Sequence, residues 1–186
     1  DLEFERFQVM CGFSIREEQE KLLTAGKPSR VENIASMIIK KYGHLEEKIN
    51  FYQNLRSKDD YVSRHCLNTA ILCAMITHVM NVRLEEQLQT VVAAIVHDIG
   101  KLRLPKELLF AKEDSDENRM KIYYEQLAGL DILENTFMDG IAIKRICSQA
   151  LRVFYEQQPG RQTSFAGKMV TGAKILLVAN RYDELT

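Results

Sequence analysis

Residues 94–101 read AIVHDIGK, and this stretch decides how the chain is interpreted. An apolar helix delivers an imidazole, His97, and a carboxylate, Asp98, together at its C-terminal end, just before Gly100. Burying such a pair without partners is costly, so either a metal ion or a tight hydrogen-bond network is expected to satisfy it. A His-Asp dipeptide alone more often marks a hydrogen-bonded helix end, so the rest of the chain has to decide between the two.

The composition is that of an ordinary soluble globular protein. Of 186 residues, 46% are hydrophobic and 27% are charged, which suffices for a sizeable core. Lysine and arginine total 25, and aspartate and glutamate total 26, so the net charge is -1. No long-range field therefore draws the chain to nucleic acid or to an anionic membrane, and we expect no DNA partner. A local basic pocket for phosphate is compatible with this balance.

The cysteines and the hydropathy pattern indicate a cytoplasmic protein. Four cysteines lie in apolar contexts and none forms a C-x-x-C pair, so we expect reduced, buried thiols and no structural zinc site. No apolar run is long enough to cross a bilayer, and no signal peptide is recognisable. We predict cytoplasmic localisation without a membrane span.

Helical periodicity runs through almost the whole chain, and no stretch alternates as a strand does, so the predicted fold class is all-α. A capping box at residues 29–32 opens a helix that ends near Gly43. A polar break at residues 57–60 separates an N-terminal helical extension, residues 1–57, from a core domain, residues 58–186. Further helices are predicted at 45–56, 61–80, 84–98, 118–135, 140–156 and 168–184, with Gly100 ending the third of these and residues 113–117 forming a solvated acidic loop.

Three segments together resemble the HD phosphohydrolase superfamily, and more narrowly its HD-GYP branch. They are YVSRH at 61–65, HDIGKLRLP at 97–105 and KILLVANRYDEL at 174–185. The resemblance covers roughly residues 58–186 and implies an HD-type helical bundle. Members of the HD-GYP branch are bacterial cyclic di-GMP phosphodiesterases with a two- or three-metal centre, so the resemblance also implies a role in bacterial signalling.

Four residues keep the family's pattern, position by position. His65 matches the first metal histidine, and His97 and Asp98 match the signature pair, whose aspartate typically bridges metals. Lys101 matches a lysine that contacts the substrate phosphate or the attacking water. The resemblance therefore implies metal ligation by the first three, with Asp98 and Lys101 as catalytic residues and Lys101 also binding substrate.

Four other positions depart from the pattern. Glu125 stands where a histidine ligand belongs, and Phe154 and Tyr155 replace two consecutive histidines. Asn180 replaces the terminal metal aspartate, and it offers a carbonyl oxygen without the charge. A second metal has almost no ligands left, so hydrolysis by two ions that clamp the attacking and leaving oxygens is expected to be disabled.

The sequence leaves the roles of Glu125 and Arg161 open. Glu125 either completes a metal shell or is a solvated helix residue. The glycine-tyrosine-proline loop of the family is absent, and residues 158–162 read QPGRQ instead. Within them, Arg161 either binds substrate phosphate or belongs to a solvated loop.

The sequence leaves three hypotheses for the function of the chain. The leading hypothesis is a divergent, catalytically impaired HD-GYP-like domain that acts as a regulatory module, binding a cyclic dinucleotide or other phosphate ester, or a signalling protein. Its site is either metal-free or holds one divalent ion (Fe, Mn, Mg, Ni or Zn, which the sequence does not distinguish). The competing hypothesis is an active metal-dependent phosphohydrolase, a cyclic dinucleotide phosphodiesterase, in which Asn180 or Glu125 completes a single-metal site. The third is a structural domain that forms a homodimer through its N-terminal helices.

Overall fold

The structure, a computed structural model, describes residues 2–25, 30–45, 60–111, 115–156 and 168–185. The elements are α1 (Leu2–Ala25), α2 (Val31–Tyr42), α3 (Tyr61–Val79), α4 (Leu84–Val96), a 3-10 helix (Ile99–Arg103), α5 (Lys106–Leu109), α6 (Asp116–Leu130), α7 (Leu133–Thr136), α8 (Gly140–Glu156) and α9 (Thr171–Leu185). The predicted all-α class is confirmed, because no strand occurs among the described residues. No helix in these ranges is long and apolar enough to cross a membrane.

The centre of the bundle is the pair α3 and α4. α3 packs against α1, α2, α4 and α9, and α4 packs against α2, α8 and α9. α3 is therefore buried around most of its circumference, and its interior polar groups need partners within the fold. The Thr69 and Thr77 hydroxyls, for example, each donate to the carbonyl four residues earlier, at 2.7 Å.

Gly100 does not end α4, contrary to the prediction from the sequence. α4 ends at Val96, and Gly100 lies inside the 3-10 helix that follows. A Cβ on Gly100 would lie 2.6 Å from the Cα of Gln126 and closer still to the carbonyl oxygen of Glu125. The glycine is needed because α6 crosses this turn with its backbone in direct contact.

The acidic loop is shorter than predicted. Residues 116 and 117 form the first turn of α6, which is capped by the Ser115 hydroxyl accepting from the Asn118 amide at 3.2 Å. The helix predicted at 118–135 is interrupted, since α6 ends at Leu130 and α7 is a separate short turn. The predicted helix at 45–56 and the serine of the capping box lie outside the described residues.

The N-terminal helices pack on the bundle through one face each. Tyr42 is fully buried at the end of α2, with the rings of Phe4 and Phe7 of α1 both 5.6 Å from its own. All four cysteines are free and buried, as expected. α1 also packs along α3, which is the helix that supplies His65, the first histidine of the site.

Candidate metal centre and its mouth

His65, His97 and Asp98 meet in the interior of the bundle. His65 projects from the second turn of α3, and the other two follow the last turn of α4. Each is only 1% exposed, and one ligand atom from each lies within 4.8 Å of the others. Among the described residues, this is the group of His, Cys, Asp and Glu side chains that is arranged to hold an ion.

His97 is prepared as a metal ligand. Its Nδ1 lies 2.6 Å from the carbonyl oxygen of Ala94 and donates to it, which leaves the lone pair on Nε2. That Nε2 is buried and has no hydrogen-bond partner within the described part of the chain, and Oδ1 of Asp98 lies 3.3 Å from it. Burial lowers the pKa of His97, so the imidazole is neutral near pH 7.

His65 is held from both sides. Its Nδ1 lies 2.6 Å from Oδ2 of Asp183, and its Nε2 lies 2.7 Å from Oδ1 of Asn180. Asn68 donates to the other Asp183 oxygen at 2.9 Å. Oxygens on both sides of the ring favour the protonated imidazole. In line with this, burial lowers its pKa, but the hydrogen bond to Asp183 and the charge of Asp98 outweigh it and raise the pKa.

The carboxylate of Asp98 is compensated by the chain itself. Its Oδ2 lies 3.1 Å from the Lys101 ammonium and 3.5 Å from Nε2 of His65, as ion pairs rather than aligned hydrogen bonds. Its Oδ1 accepts from the Gln126 amide, whose own oxygen accepts from the Tyr155 hydroxyl. Burial raises the pKa of Asp98. In the acid range where this carboxyl titrates, the protonated His97, the Lys101 ammonium and His65 outweigh burial, so the pKa lies well below its ordinary value.

The structure brings some predicted site residues together and not others. Asn180 is linked to the centre by its hydrogen bond with Nε2 of His65. Glu125 is half-buried on α6 and is outside the cluster of candidate ligand atoms found among the described residues. Its neighbour Gln126 is the α6 side chain that contacts Asp98. Arg161 lies outside the described residues.

Gln126, and the role of Tyr155 as its donor, were missed from the sequence. Gln126 is 1% exposed and lies 28 residues from Asp98, on a helix with a weakly periodic apolar pattern. The sequence does place Gln126, which has an amide side chain, directly after Glu125, the expected ligand. It does not show which of the two faces inward, because that depends on how α6 packs on Gly100.

A cavity of about 430 Å³, which we call the mouth, lies beside the centre between α3, α6, α8 and α9. Lys101 belongs to both, since it lines the mouth and pairs with Asp98. Three cationic side chains (Lys101, Arg119, Arg181) and four aromatic ones (Tyr61, Phe110, Phe154, Tyr155) line it, together with Leu109, Ile122 and Glu184. Arg181 lies over the ring of Phe154, 4.6 Å from its centroid, and donates to the carbonyl oxygen of that residue at 3.1 Å. Burial raises the pKa of Glu184 above its ordinary value.

Comparison with known proteins gives one assignment for this region. The family model described as HD domain matches residues 62–184, well over half of the chain and all of the side chains just described around His65 and Asp98. Searches of curated proteins and of solved structures each gave no match.

Proposed function

The chain belongs to the HD domain family, and on that basis we propose that it is a divergent, catalytically impaired HD-GYP-like domain that binds a phosphate ester as a regulatory module in bacterial signalling. The observation that carries this proposal is the compensation of Asp98. Lys101 neutralises one of its oxygens and Gln126 binds the other, so the carboxylate that should hold the metal is already paired.

The altered positions support impaired chemistry. Tyr155, which stands at a histidine position of the resembled family, donates to Gln126 and so fixes the amide on Asp98. Asn180 bonds to His65 and brings no charge to the centre. Once His65, His97 and Asp98 are used for one ion, no comparable donor set for a second is found within the described residues.

The three remaining donors fit one divalent ion. His65, His97 and Asp98 would hold it, and the buried, unpartnered Nε2 of His97 is the atom best prepared to do so. Such an ion would polarise a phosphoryl oxygen as a Lewis acid. It would compete with Lys101 for Asp98 and with Asn180 for Nε2 of His65, which lowers its apparent affinity.

The mouth supports binding of an anion. Lys101, Arg119 and Arg181 converge on a cavity whose size suits a small phosphate ester, and they surround it with aromatic rings. The arginines are oriented by backbone carbonyls of α8, at 3.5 Å from Arg119 to Tyr155 and 3.1 Å from Arg181 to Phe154. Positioned guanidinium groups are suited to phosphate oxygens.

Elemental analysis, calorimetry and a turnover assay on the purified protein test the proposal. We expect clearly less than one metal ion per chain and no turnover of cyclic di-GMP or a generic phosphodiester with added Mn or Fe. We also expect cyclic di-GMP binding that Arg181→Ala weakens about tenfold or more, as loss of a charged hydrogen bond does. Arg145→Ala, an exposed arginine that is not part of the mouth, is the control. Turnover that Asp98→Ala abolishes would overturn the impaired assignment.

A second function is favoured by His97. Its neutral imidazole with an unpartnered Nε2 is the arrangement that an active single-metal phosphohydrolase needs. In that case Lys101 would leave Asp98 for the substrate phosphate and stabilise its charge there. One tightly bound ion per chain, together with metal-dependent turnover, would select this alternative.

A further inference from the structure

Four large apolar side chains lie exposed on one face of α1: Leu2 (63%), Val9 (45%), Met10 (61%) and Phe13 (66%). At ~100° per residue they fall within an arc of about 100°, opposite the face that packs on the bundle. Isolated exposed apolar residues are ordinary, but a row along one helix marks an interaction surface.

Charges on the same face indicate what covers it. Arg6 lies toward the N-terminal end of the row and Glu17 beyond its C-terminal end, both exposed. Neither makes an ion pair or hydrogen bond with another described residue. The two charges are opposite in sign and lie on either side of Val9, Met10 and Phe13, which is the pattern of a self-complementary surface.

We propose that this face of α1 binds a second copy of the chain, with the two α1 helices antiparallel about a two-fold axis near residues 11 and 12. Residues of the two α1 helices then face each other when their numbers add up to 23. Arg6 pairs with Glu17 of the partner subunit, and Met10 packs on Phe13 of the partner subunit, each twice. A parallel arrangement would place Arg6 against its own copy, and like charges at that position disfavour it.

Other pairs across this axis are compatible with the arrangement. The same rule opposes Glu3 to Glu20 of the partner subunit, but each is neutralised within its own chain. Glu3 lies 3.2 Å from the Lys41 ammonium, and Glu20 lies 3.3 Å from the Arg16 guanidinium. The paired stretch from residue 2 to 21 spans ~30 Å at 1.5 Å per residue, so the contact runs along most of α1.

A recess lies at the edge of the row, where Val9 and Phe13 meet α3. It measures about 80 Å³ and lies between α1 and α3, with Val9, Gly12, Phe13 and Leu67 in its lining. A Cβ on Gly12 would meet nothing within 4 Å, so packing within the chain does not require a glycine there. Glycine weakens a helix interior, and Gly12 lies about 110° around α1 from the middle of the apolar row, so it borders the recess rather than the partner helix.

Sedimentation equilibrium and light scattering on the full chain test the proposal. We expect a concentration-dependent mass that approaches twice the 21.5 kDa of one chain. Phe13→Glu should give a monomer, whereas Ile141→Glu, an equally exposed apolar site on α8 (67%), should not change the mass. Arg6→Glu and Glu17→Arg should each weaken the dimer about tenfold, since each creates two like-charge contacts.

The combined charge reversal separates this geometry from the others. Arg6→Glu with Glu17→Arg restores both pairs in the antiparallel dimer, so it should recover the wild-type dissociation constant. A dimer that ignores both single reversals, or in which the double reversal adds their effects, would show another surface or a parallel pairing and overturn the proposal. A wild-type chain that stays monomeric up to its solubility limit would overturn it as well.

Discussion

Replacing Lys101 by methionine tests whether the chain's own ammonium stands in for a metal. Methionine keeps much of the length and removes the charge, leaving the Asp98 carboxylate, whose side chain is 2% exposed, without the cation 3.1 Å away. Removing one partner of a buried ion pair costs about 3–5 kcal/mol. The Gln126 amide and His65 remain, so we expect the lower end, about 3 kcal/mol, which in a domain of this size lowers Tm by about 6–12 °C.

Thermal and urea unfolding followed by circular dichroism give the measurement. The matched control is Lys121→Met on α6, whose ammonium lies 3.5 Å from the exposed Glu117 and whose loss should cost less than about 1 kcal/mol. Lys101→Met combined with Asp98→Asn should recover most of the loss, because no orphaned charge remains. Added Mn²⁺ should raise the Tm of Lys101→Met more than that of the wild type, since binding to the folded state stabilises it.

Two results would refute this reasoning. One is a Lys101→Met variant within about 0.5 kcal/mol of the wild type, which would mean that solvent already screens Asp98. The other is a double variant no more stable than Lys101→Met, which would place the cost in packing of the lysine stem rather than in its charge.

Three further predictions concern the groups around the centre. Asp183→Asn removes the hydrogen bond that raises the pKa of His65. The loss of unfolding free energy should therefore be greatest below the unfolded histidine pKa of about 6.5 and should shrink as pH rises through the pKa of folded His65. Urea unfolding at pH 5.5, 7 and 9 measures this loss, and a loss that grows with pH would contradict the prediction. Gln19→Leu removes the 2.8 Å bond to the Ile95 carbonyl and should cost about 1–3 kcal/mol by the same assay, whereas wild-type stability would mean that the carbonyl finds water. Gly100→Ala forces a Cβ into the backbone of α6 and should cost about 3 kcal/mol, with Gly12→Ala, which has open space, as its control; equal effects would exclude the close approach.

The fold and half of the site follow from local pattern. An apolar run that ends in His97-Asp98 can be placed at the end of a buried helix from sequence alone, and α4 ends at Val96, directly before the pair. The resemblance to the HD family supplies His65 on the preceding predicted helix, and α3 and α4 do pack closely. Placing the two helices needs only helix periodicity and a short connection, whereas choosing His65 as a ligand depends on the resemblance.

The partners of these ligands do not follow from local pattern. His65 and Asp183 are 118 residues apart, and Asp98 and Gln126 are 28 apart, so each contact depends on how the helices cross. Gly100 shows the difficulty. A glycine after a helix indicates a helix end in sequence, but here it marks the point where α6 touches the turn. That contact selects Gln126 rather than Glu125 as the residue facing Asp98.

α1 contacts both elements that carry the candidate ligands. From its inner face, Arg16 pairs with Asp60 at 2.7 Å, at the start of α3, and Gln19 holds the Ile95 carbonyl two residues before His97. A shift of α1 along its axis would therefore strain the helix that carries His65 and the turn that carries His97 together. The outer face of the same helix is the one we assign to a second copy of the chain. A displacement of α1 on dimerisation would therefore reach the centre, and we predict that the Mn²⁺ affinity of the Phe13→Glu monomer differs from that of the dimer. Equal affinities would contradict this coupling.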